Sequence, residues 1–158
     1  GHIGVLATRG TVQSARFAQL LARVSTATGQ PLHVRVQPGD GLAHAIERAD
    51  AAAIRERALF HLSQLQAQDP HRPSIDTLVL GCTHYPFASD ILQALCGPDV
   101  QLVYTGEPVA RRTRAVLKLE TPAGGTASGA ITLLSSGDPG PLAHAASRWL
   151  GMAVQAAA

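Results

Sequence analysis

Hydrophobic and polar residues follow two kinds of spacing along the chain, which predict strands and helices in turn. Residues 78–80 form a short, wholly apolar run, which is typical of a strand buried on both faces. In residues 12–27 and 51–68, apolar side chains instead recur three or four positions apart, as on one face of a helix. The predicted strands span 3–7, 32–36, 77–80, 100–103 and 131–134, and the predicted helices span 12–27, 42–48, 51–68, 88–95, 107–119 and 141–150.

This alternation of strands and helices predicts an α/β fold, with a parallel sheet and helices on both of its faces. In such sheets, ligands bind beyond the carboxyl ends of the strands. Several polar or reactive residues fall at predicted strand ends: Thr8, Thr11, Cys82, Thr83, His84 and Thr105. Residues 121–130 are rich in Gly, Ala and Thr without periodicity, and we interpret them as a linker.

Cys82 and His84 lie in the corner between the strand 77–80 and the next helix, where Pro86 allows the helix to begin. A metal site, a packed corner and half of an active site are the three interpretations. Structural zinc needs four ligands, usually in two closely spaced pairs, and no second pair accompanies these two residues. A free cysteine often behaves as a small buried hydrophobic residue, which keeps the packed corner open.

The position of the corner favours proton-transfer or nucleophilic chemistry. A helix N-terminus after the strand would stabilise the thiolate of Cys82. His84 is close enough in sequence to exchange protons with it, and Thr83 and the turn amides could hold a carboxylate or oxyanion. Cys96, at the end of a predicted helix, is better explained by packing.

Taken singly, the other polar candidates have ordinary explanations. Glu47 would be a surface carboxylate on a short helix, and Thr8 and Thr11 would be helix-capping residues.

Composition narrows the class of protein. The 158 residues are 46% hydrophobic and 15% charged, as expected of a globular protein of about one domain's length. A formal net charge of +2 gives no reason to expect binding to nucleic acid or to an anionic membrane. No apolar stretch approaches the roughly 20 residues that span a bilayer, and no signal peptide is visible. Two cysteines make no disulfide framework, so we expect a reduced, cytoplasmic protein.

Five stretches together resemble bacterial glutamate racemase, of the cofactor-independent aspartate/glutamate racemase family. They are IGVLATRGTVQS (3–14), GLAHAIE (41–47), LVLGCTHYPF (78–87), TGEPVARR (105–112) and SSGDP (135–139). LGCTHYP is highly specific for this family, and the order and spacing of the others favour glutamate over aspartate. The resemblance implies an enzyme that interconverts L- and D-glutamate for peptidoglycan synthesis, without a cofactor or a metal. It is compatible with a homodimer.

The resemblance also implies a fold and a mechanism: two parallel-sheet αβα lobes face each other across a cleft, and two thiols act on opposite faces of the substrate. Cys82 corresponds to one of these thiols, His84 to the histidine that assists it, and Glu47 to a glutamate that supports that histidine. Thr83 corresponds to a residue that holds the substrate. Thr11, with Thr8 beside it, is assigned to substrate binding at the cleft.

Only the later part of the family pattern is found. No DSG-, PYG- or ACNTA-like stretch is present, and the last of these carries the other catalytic cysteine. Gly39 stands where the family often has cysteine, and Tyr104 where it usually has aspartate. The resemblance therefore predicts that residues 1–100 form the second racemase domain, and that 101–158 form the C-terminal half of an incomplete first domain.

A chain of this kind is expected to expose apolar surface and to be inactive by itself. Two alternatives remain: a non-catalytic binding or interaction protein that retains one racemase lobe, and a one-cysteine decarboxylase of the same superfamily.

Overall fold

The computed structural model describes residues 1–29, 32–67, 71, 73–118, 131–152 and 156–157. The chain forms two compact units, Gly1–Val116 and Leu117–Ala158. The strands are β1 (His2–Ala7), β2 (His33–Pro38), β3 (Thr77–Gly81), β4 (Gln101–Tyr104), β5 (Leu133–Leu134) and β6 (Ala156–Ala157). The helices are α1 (Arg9–Val12), α2 (Ala15–Ala27), α3 (Leu42–Glu47), α4 (Ala51–Ala67), a 3₁₀ helix (Tyr85–Ala88), α5 (Ser89–Cys96), α6 (Gly106–Val116) and α7 (Gly140–Leu150).

The first unit contains a four-stranded sheet in the order β2-β1-β3-β4, and every pair of neighbouring strands is parallel. The predicted parallel α/β fold is therefore confirmed. The chain passes from β1 to β2 on one side and then from β2 to β3 on the other. The strand order consequently reverses between β1 and β3, and the carboxyl ends of these two strands flank the crevice where ligands of open α/β sheets bind.

The core of the first unit combines side chains of the sheet with those of the helices that follow β2 and β3. In α4, the four positions of the apolar stripe are buried: Ile54, Ala58, Leu62 and Leu65. Leu6, Leu78 and Leu80 of the sheet are fully buried, as are Leu42 and Ile46 of α3 and Leu92 of α5. The helical period predicted this stripe correctly, because a helix that covers a sheet must turn one apolar face towards it.

Burial in two strands differs from what their apolar residues predict, because 78–80 was expected to be buried on both faces and the alternating Val34 and Val36 to lie on one covered face. In β3, Leu78 and Leu80 are buried but Val79 is half-buried, so the two faces of the strand are not equally covered. In β2, Val34 and Val36 are only half-buried, and the buried side chain is Arg35 on the other face. Its guanidinium donates to Gln66 Oε1 at 3.2 Å and to Pro73 O at 2.8 Å. These partners explain why a charged side chain is tolerated there.

The helix predicted over 12–27 begins later in the structure. The short α1 ends at Val12, and α2 starts at Ala15 because Ser14 Oγ accepts the Phe17 N–H at 3.2 Å. No residue of α2 is buried, and Leu20 is 44% exposed. The apolar period therefore predicted a helix correctly, but the described residues cover its apolar side only in part: Phe17 and Leu21 are half-buried and Val24 is exposed.

Residues 101–104 pair with β3 from Thr77↔Gln101 to Leu80↔Tyr104, so they belong to the same sheet as β1 and β2. The first compact unit accordingly extends beyond residue 100, the boundary expected from the sequence. The assignment of residues 1–100 to the second racemase domain and of 101–158 to part of the first stays a prediction.

In the second unit, β5 and β6 pair in parallel, and α7 ends at Gly151, which has a left-handed backbone (φ 64°). The predicted linker, 121–130, lies outside the described residues. Large apolar side chains are exposed in both units, including Val109, Val116, Leu134 and Leu150, as was expected. Among the described residues, no helix is long and apolar enough to cross a membrane.

Candidate active site

The carboxyl edge of the sheet collects the predicted site residues because all four strands point the same way. Thr8 follows β1, Cys82 follows β3 and Thr105 follows β4. Thr8 and Cys82 lie on either side of the point where the strand order reverses. The turn Pro38–Gly41 follows β2 at the same edge and leads into α3, which ends at Glu47.

The corner after β3 is shaped by a close approach of the backbone. A Cβ on Gly81 would lie 2.9 Å from Ala7 Cβ, so only glycine fits beside β1 at this point. The turn is closed by Tyr85 N–H donating to Cys82 O at 3.3 Å. Pro86 then lies in the first turn of the 3₁₀ helix. The outcome is a buried Cys82, 9% exposed, followed by an exposed Thr83 and a half-exposed His84.

Cys82, His84 and Glu47 form a connected series of polar contacts. The Sγ atom of Cys82 lies 3.8 Å from His84 Nδ1, and His84 Nε2 lies 3.0 Å from Glu47 Oε1. An ionised carboxylate can only accept hydrogen bonds, so Nε2 carries the hydrogen that points at Glu47. In the neutral ring, Nδ1 is then the acceptor that faces the thiol. The ring is therefore oriented to take a proton from Cys82 while Glu47 stabilises the resulting imidazolium.

Thr8 and Thr11 form a second group at the same edge. Thr8 caps α1, because its Oγ1 accepts the Thr11 N–H at 3.4 Å, and the two hydroxyl oxygens lie 2.9 Å apart. The capping interpretation is therefore confirmed for Thr8 and wrong for Thr11, which lies inside α1. Substrate binding by either threonine stays a prediction. A cavity of about 630 Å³ runs from these hydroxyls along α2, past Arg16 and Phe17. Cys82 and His84 do not line it.

Three features at the site were not anticipated from the sequence. Tyr85 is fully buried, and its Oη donates to Gly39 O at 3.1 Å. Burial raises the pKa of Tyr85, and the nearby Cys82 and Asp40 add to the effect. Arg9, after β1, forms an ion pair with Asp40 in the turn after β2. His61 of α4 also reaches this turn, with Nε2 3.0 Å from Asp40 O. The one local signal for Tyr85 was its position in the sequence, directly after His84 in the GCTHYP motif.

The structure shows the environment of the two positions that depart from the family pattern, Gly39 and Tyr104. A Cβ on Gly39 would lie 2.3 Å from Tyr85 Oη, so the buried phenol leaves no room for a side chain there. Tyr104, at the end of β4, is 43% exposed.

The second cysteine does not join the site. Cys96 is the last residue of α5, which starts near the carboxyl edge of the sheet and runs away from it for eight residues, about 12 Å at the rise of an α-helix. Burial raises the pKa of its thiol. Within the described ranges, no group of three or more His, Cys, Asp or Glu residues could hold a metal ion.

Comparison with known proteins points to one family. No family model matches the sequence. The chain is 43% identical to glutamate racemase of Pseudomonas paraeruginosa over 119 residues. This match covers 74% of the chain and 42% of that protein. It is 40% identical to glutamate racemase of Pseudomonas putida over 139 residues. That match covers 88% of the chain and 50% of the Pseudomonas putida protein.

The similar solved structures are also glutamate racemases. Glutamate racemase RacE1 of Bacillus anthracis matches with a TM-score of 0.74 and 27% identity, over 99% of this chain and 56% of that one. Escherichia coli glutamate racemase, solved with L-glutamate and the activator UDP-MurNAc-ala, matches with a TM-score of 0.64 and 27% identity, over 94% of this chain and 55% of that one. This chain is therefore similar in sequence and in fold to glutamate racemases, and it spans about half the length of the curated relatives it matches.

Proposed function

We propose that this chain carries one half of a glutamate racemase active site, with glutamate as the substrate and no cofactor. The observation that supports the proposal best is the series Cys82, His84, Glu47 at the reversal of strand order. We assign Cys82 as the acid–base thiol, His84 as its proton partner and Glu47 as the group that orients His84. Homology to glutamate racemases over most of this chain supports the choice of substrate.

The proposed half-reaction moves one proton at a time. The Cys82 thiol gives its proton to His84 Nδ1, and Glu47 stabilises the imidazolium that results. The thiolate then removes the Cα proton of glutamate from one face, and becomes a thiol again. Thr83, which is exposed beside Cys82, is assigned to hold the substrate carboxylate, together with Thr8 and Thr11. Cysteine suits this step because its thiolate is accessible near neutral pH.

Inversion needs a second acid on the opposite face of the same carbon. Cys96 is the only other cysteine of the chain, and it lies at the far end of α5. The proposal therefore requires a second thiol from a polypeptide segment outside these 158 residues, and predicts that they do not racemise glutamate by themselves. We place the complete reaction in the cytoplasm, where thiols stay reduced, and in the supply of D-glutamate for peptidoglycan.

The test is ¹H NMR of L- and D-glutamate in heavy water with this chain, following loss of the Cα proton signal. We expect exchange of one enantiomer without inversion, because a single thiol acts on a single face. Cys82→Ala should abolish this exchange, and Cys96→Ala should leave it unchanged.

Two outcomes would contradict the proposal. Inversion of both enantiomers would mean that a second base lies within these residues. Exchange that is absent, or that persists in Cys82→Ala, would remove the role of Cys82 and favour a non-catalytic protein that retains the racemase fold.

A further inference from the structure

The position of Glu47 depends on the turn that precedes its helix. α3 has only six residues, too few to be stable in isolation, so its placement is set by the contacts that hold it. Leu42, Ala45 and Ile46 anchor α3 in the core. The turn Pro38–Gly41 at its start is fixed separately, by polar contacts from both sides.

The first contact comes from the catalytic corner itself. Tyr85 is the neighbour of His84 in sequence, and its buried Oη donates to Gly39 O at 3.1 Å. On its amide side, Gly39 N–H donates to Ala7 O at 2.8 Å, at the end of β1. The turn is thus tied to the end of β1 and to the corner that follows β3.

The second contact comes from α4. His61 is 2% exposed, and its Nδ1 lies 3.3 Å from Gln37 Nε2. An amide nitrogen can only donate, so Nδ1 accepts, and the hydrogen on Nε2 is donated to Asp40 O at 3.0 Å. The Nε2 atom thus holds the backbone of the turn directly at Asp40. The Nδ1 atom holds the Gln37 side chain, whose Nε2 also donates to Pro38 O at 3.1 Å.

These contacts connect the catalytic corner with the β2–α3 segment at two points. His84 and Tyr85 are adjacent, and Gly39 and Glu47 lie in one short segment, so the pairs His84–Glu47 and Tyr85–Gly39 join the same two pieces of chain twice. We propose that Tyr85 is a positioning residue, which holds the β2–α3 turn so that Glu47 meets His84, with His61 supporting the turn from α4. This inference rests on the proposed function of the Cys82–His84–Glu47 series.

A tyrosine that only packs in the core would affect stability and nothing more. A positioning role predicts in addition that losing the hydroxyl, which is bound to Gly39 O, changes the state of the His84 ring. The contact with Glu47 selects the tautomer with hydrogen on Nε2, so the tautomer of His84 reports directly on whether Glu47 is in place.

The experiment uses the chain carrying Cys96→Ala, in which Cys82 is the only thiol. Long-range ¹⁵N–¹H NMR gives the tautomer of His84, with its signals assigned by their absence in His84→Gln. The rate of Cys82 alkylation by iodoacetamide at neutral pH gives the reactivity of the thiol. Tyr85→Phe is compared with Glu47→Ala and with Ile54→Val, a control that trims the buried side of α4 without removing a hydrogen bond.

We expect the parent chain to show the Nε2–H pattern at His84. Glu47→Ala should give a mixed pattern and slower alkylation of Cys82, and Tyr85→Phe should give the same mixed pattern with at least half of that slowing on a logarithmic scale. Ile54→Val should resemble the parent. Should Tyr85→Phe fail to fold, His61→Gln, which loosens the same turn from α4, is expected to change His84 in the same direction.

A His84 signal in folded Tyr85→Phe that matches Ile54→Val would overturn the positioning role while leaving the proposed catalytic series intact. If Glu47→Ala itself leaves both the tautomer and the alkylation rate unchanged, the assignment of Glu47 in the proposed function fails instead. The two results are therefore distinguishable.

Discussion

Gly39→Ala probes the closest contact between the β2–α3 turn and the catalytic corner. The new Cβ would lie 2.3 Å from Tyr85 Oη and 2.9 Å from its Cζ, both shorter than real Cβ contacts allow. Gly39 is not among the glycines with positive φ, so alanine adds no backbone strain there, and the effect isolates the collision. The turn, the Tyr85 ring or both must move.

The magnitude follows from three contributions. Overpacking of a filled site costs about 1–3 kcal/mol. If the ring moves away, the hydrogen bond from Tyr85 to Gly39 is lost, which costs roughly 1 kcal/mol more. The lower entropy of the unfolded chain offsets this by about 0.4–1 kcal/mol. We therefore expect Gly39→Ala to lower the free energy of unfolding by about 2 kcal/mol.

A double-mutant cycle identifies the cause. Tyr85→Phe removes the oxygen that the new Cβ would meet, although Cζ remains. The double variant Gly39→Ala/Tyr85→Phe should therefore lose at least about 1 kcal/mol less than the sum of the two single variants. Urea denaturation followed by circular dichroism at the helix band measures all four proteins.

Gly10→Ala is the matched control. A Cβ at Gly10, in α1, meets no atom within 4 Å, so this variant should be as stable as the parent or slightly more so. Additive effects of Gly39→Ala and Tyr85→Phe would refute the reasoning, because they would show that the two groups do not touch.

Three further predictions concern the site and the titration of the fold. Glu47→Gln keeps the shape of the side chain but removes the charge that stabilises a protonated His84, so Cys82-dependent exchange of glutamate should fall by about 100-fold; Glu107→Gln, which breaks an exposed pair with Arg111, should leave the exchange unchanged by the same NMR assay. The pKa of Asp76 is lowered, chiefly by the backbone N–H of His2. The ionised carboxylate therefore stabilises the fold above the pKa of Asp76 in the unfolded chain, and this stabilisation is lost as pH falls through its pKa in the folded chain. Urea midpoints measured between about pH 5 and pH 2 should fall less steeply in Asp76→Asn than in the parent or in Asp99→Asn. Burial raises the pKa of Tyr85, so the fold keeps this proton when the unfolded chain would release it, and stability is lost as pH rises through the alkaline range; ultraviolet titration should show a phenol that ionises only on unfolding, absent from Tyr85→Phe and retained in Tyr104→Phe.

The parts of the fold that could be predicted from the sequence are those governed by local rules. The stripe of α4 from Ile54 to Leu65 follows from the helical period, and the apolar run ending at Leu80 follows from strand burial. The start of α2 is also set locally, because the Ser14 hydroxyl binds a backbone N–H three residues ahead, although the apolar period alone predicted a start at residue 12. Such features depend on neighbours in sequence, so their pattern is visible in the residues themselves.

The candidate site divides in the same way. The motif GCTHYP indicated Cys82 and His84, since the two residues share one turn. Periodicity alone would have left Glu47 as a surface carboxylate, and only the family resemblance connected it with His84. Tyr85, Asp40 and His61 were missed, because a buried hydroxyl bound to a distant carbonyl has no signature in spacing.

The sequence by itself therefore determined an alternating α/β chain, with a thiol and an imidazole at one strand end. The tertiary structure decided the order β2-β1-β3-β4, the burial of Arg35 instead of its apolar neighbours, and the meeting of Glu47 with His84. These depend on which segments share a surface after the chain has crossed over itself. Contacts between residues far apart in sequence arise from packing of the whole core, and no local pattern of hydrophobic and polar residues encodes them.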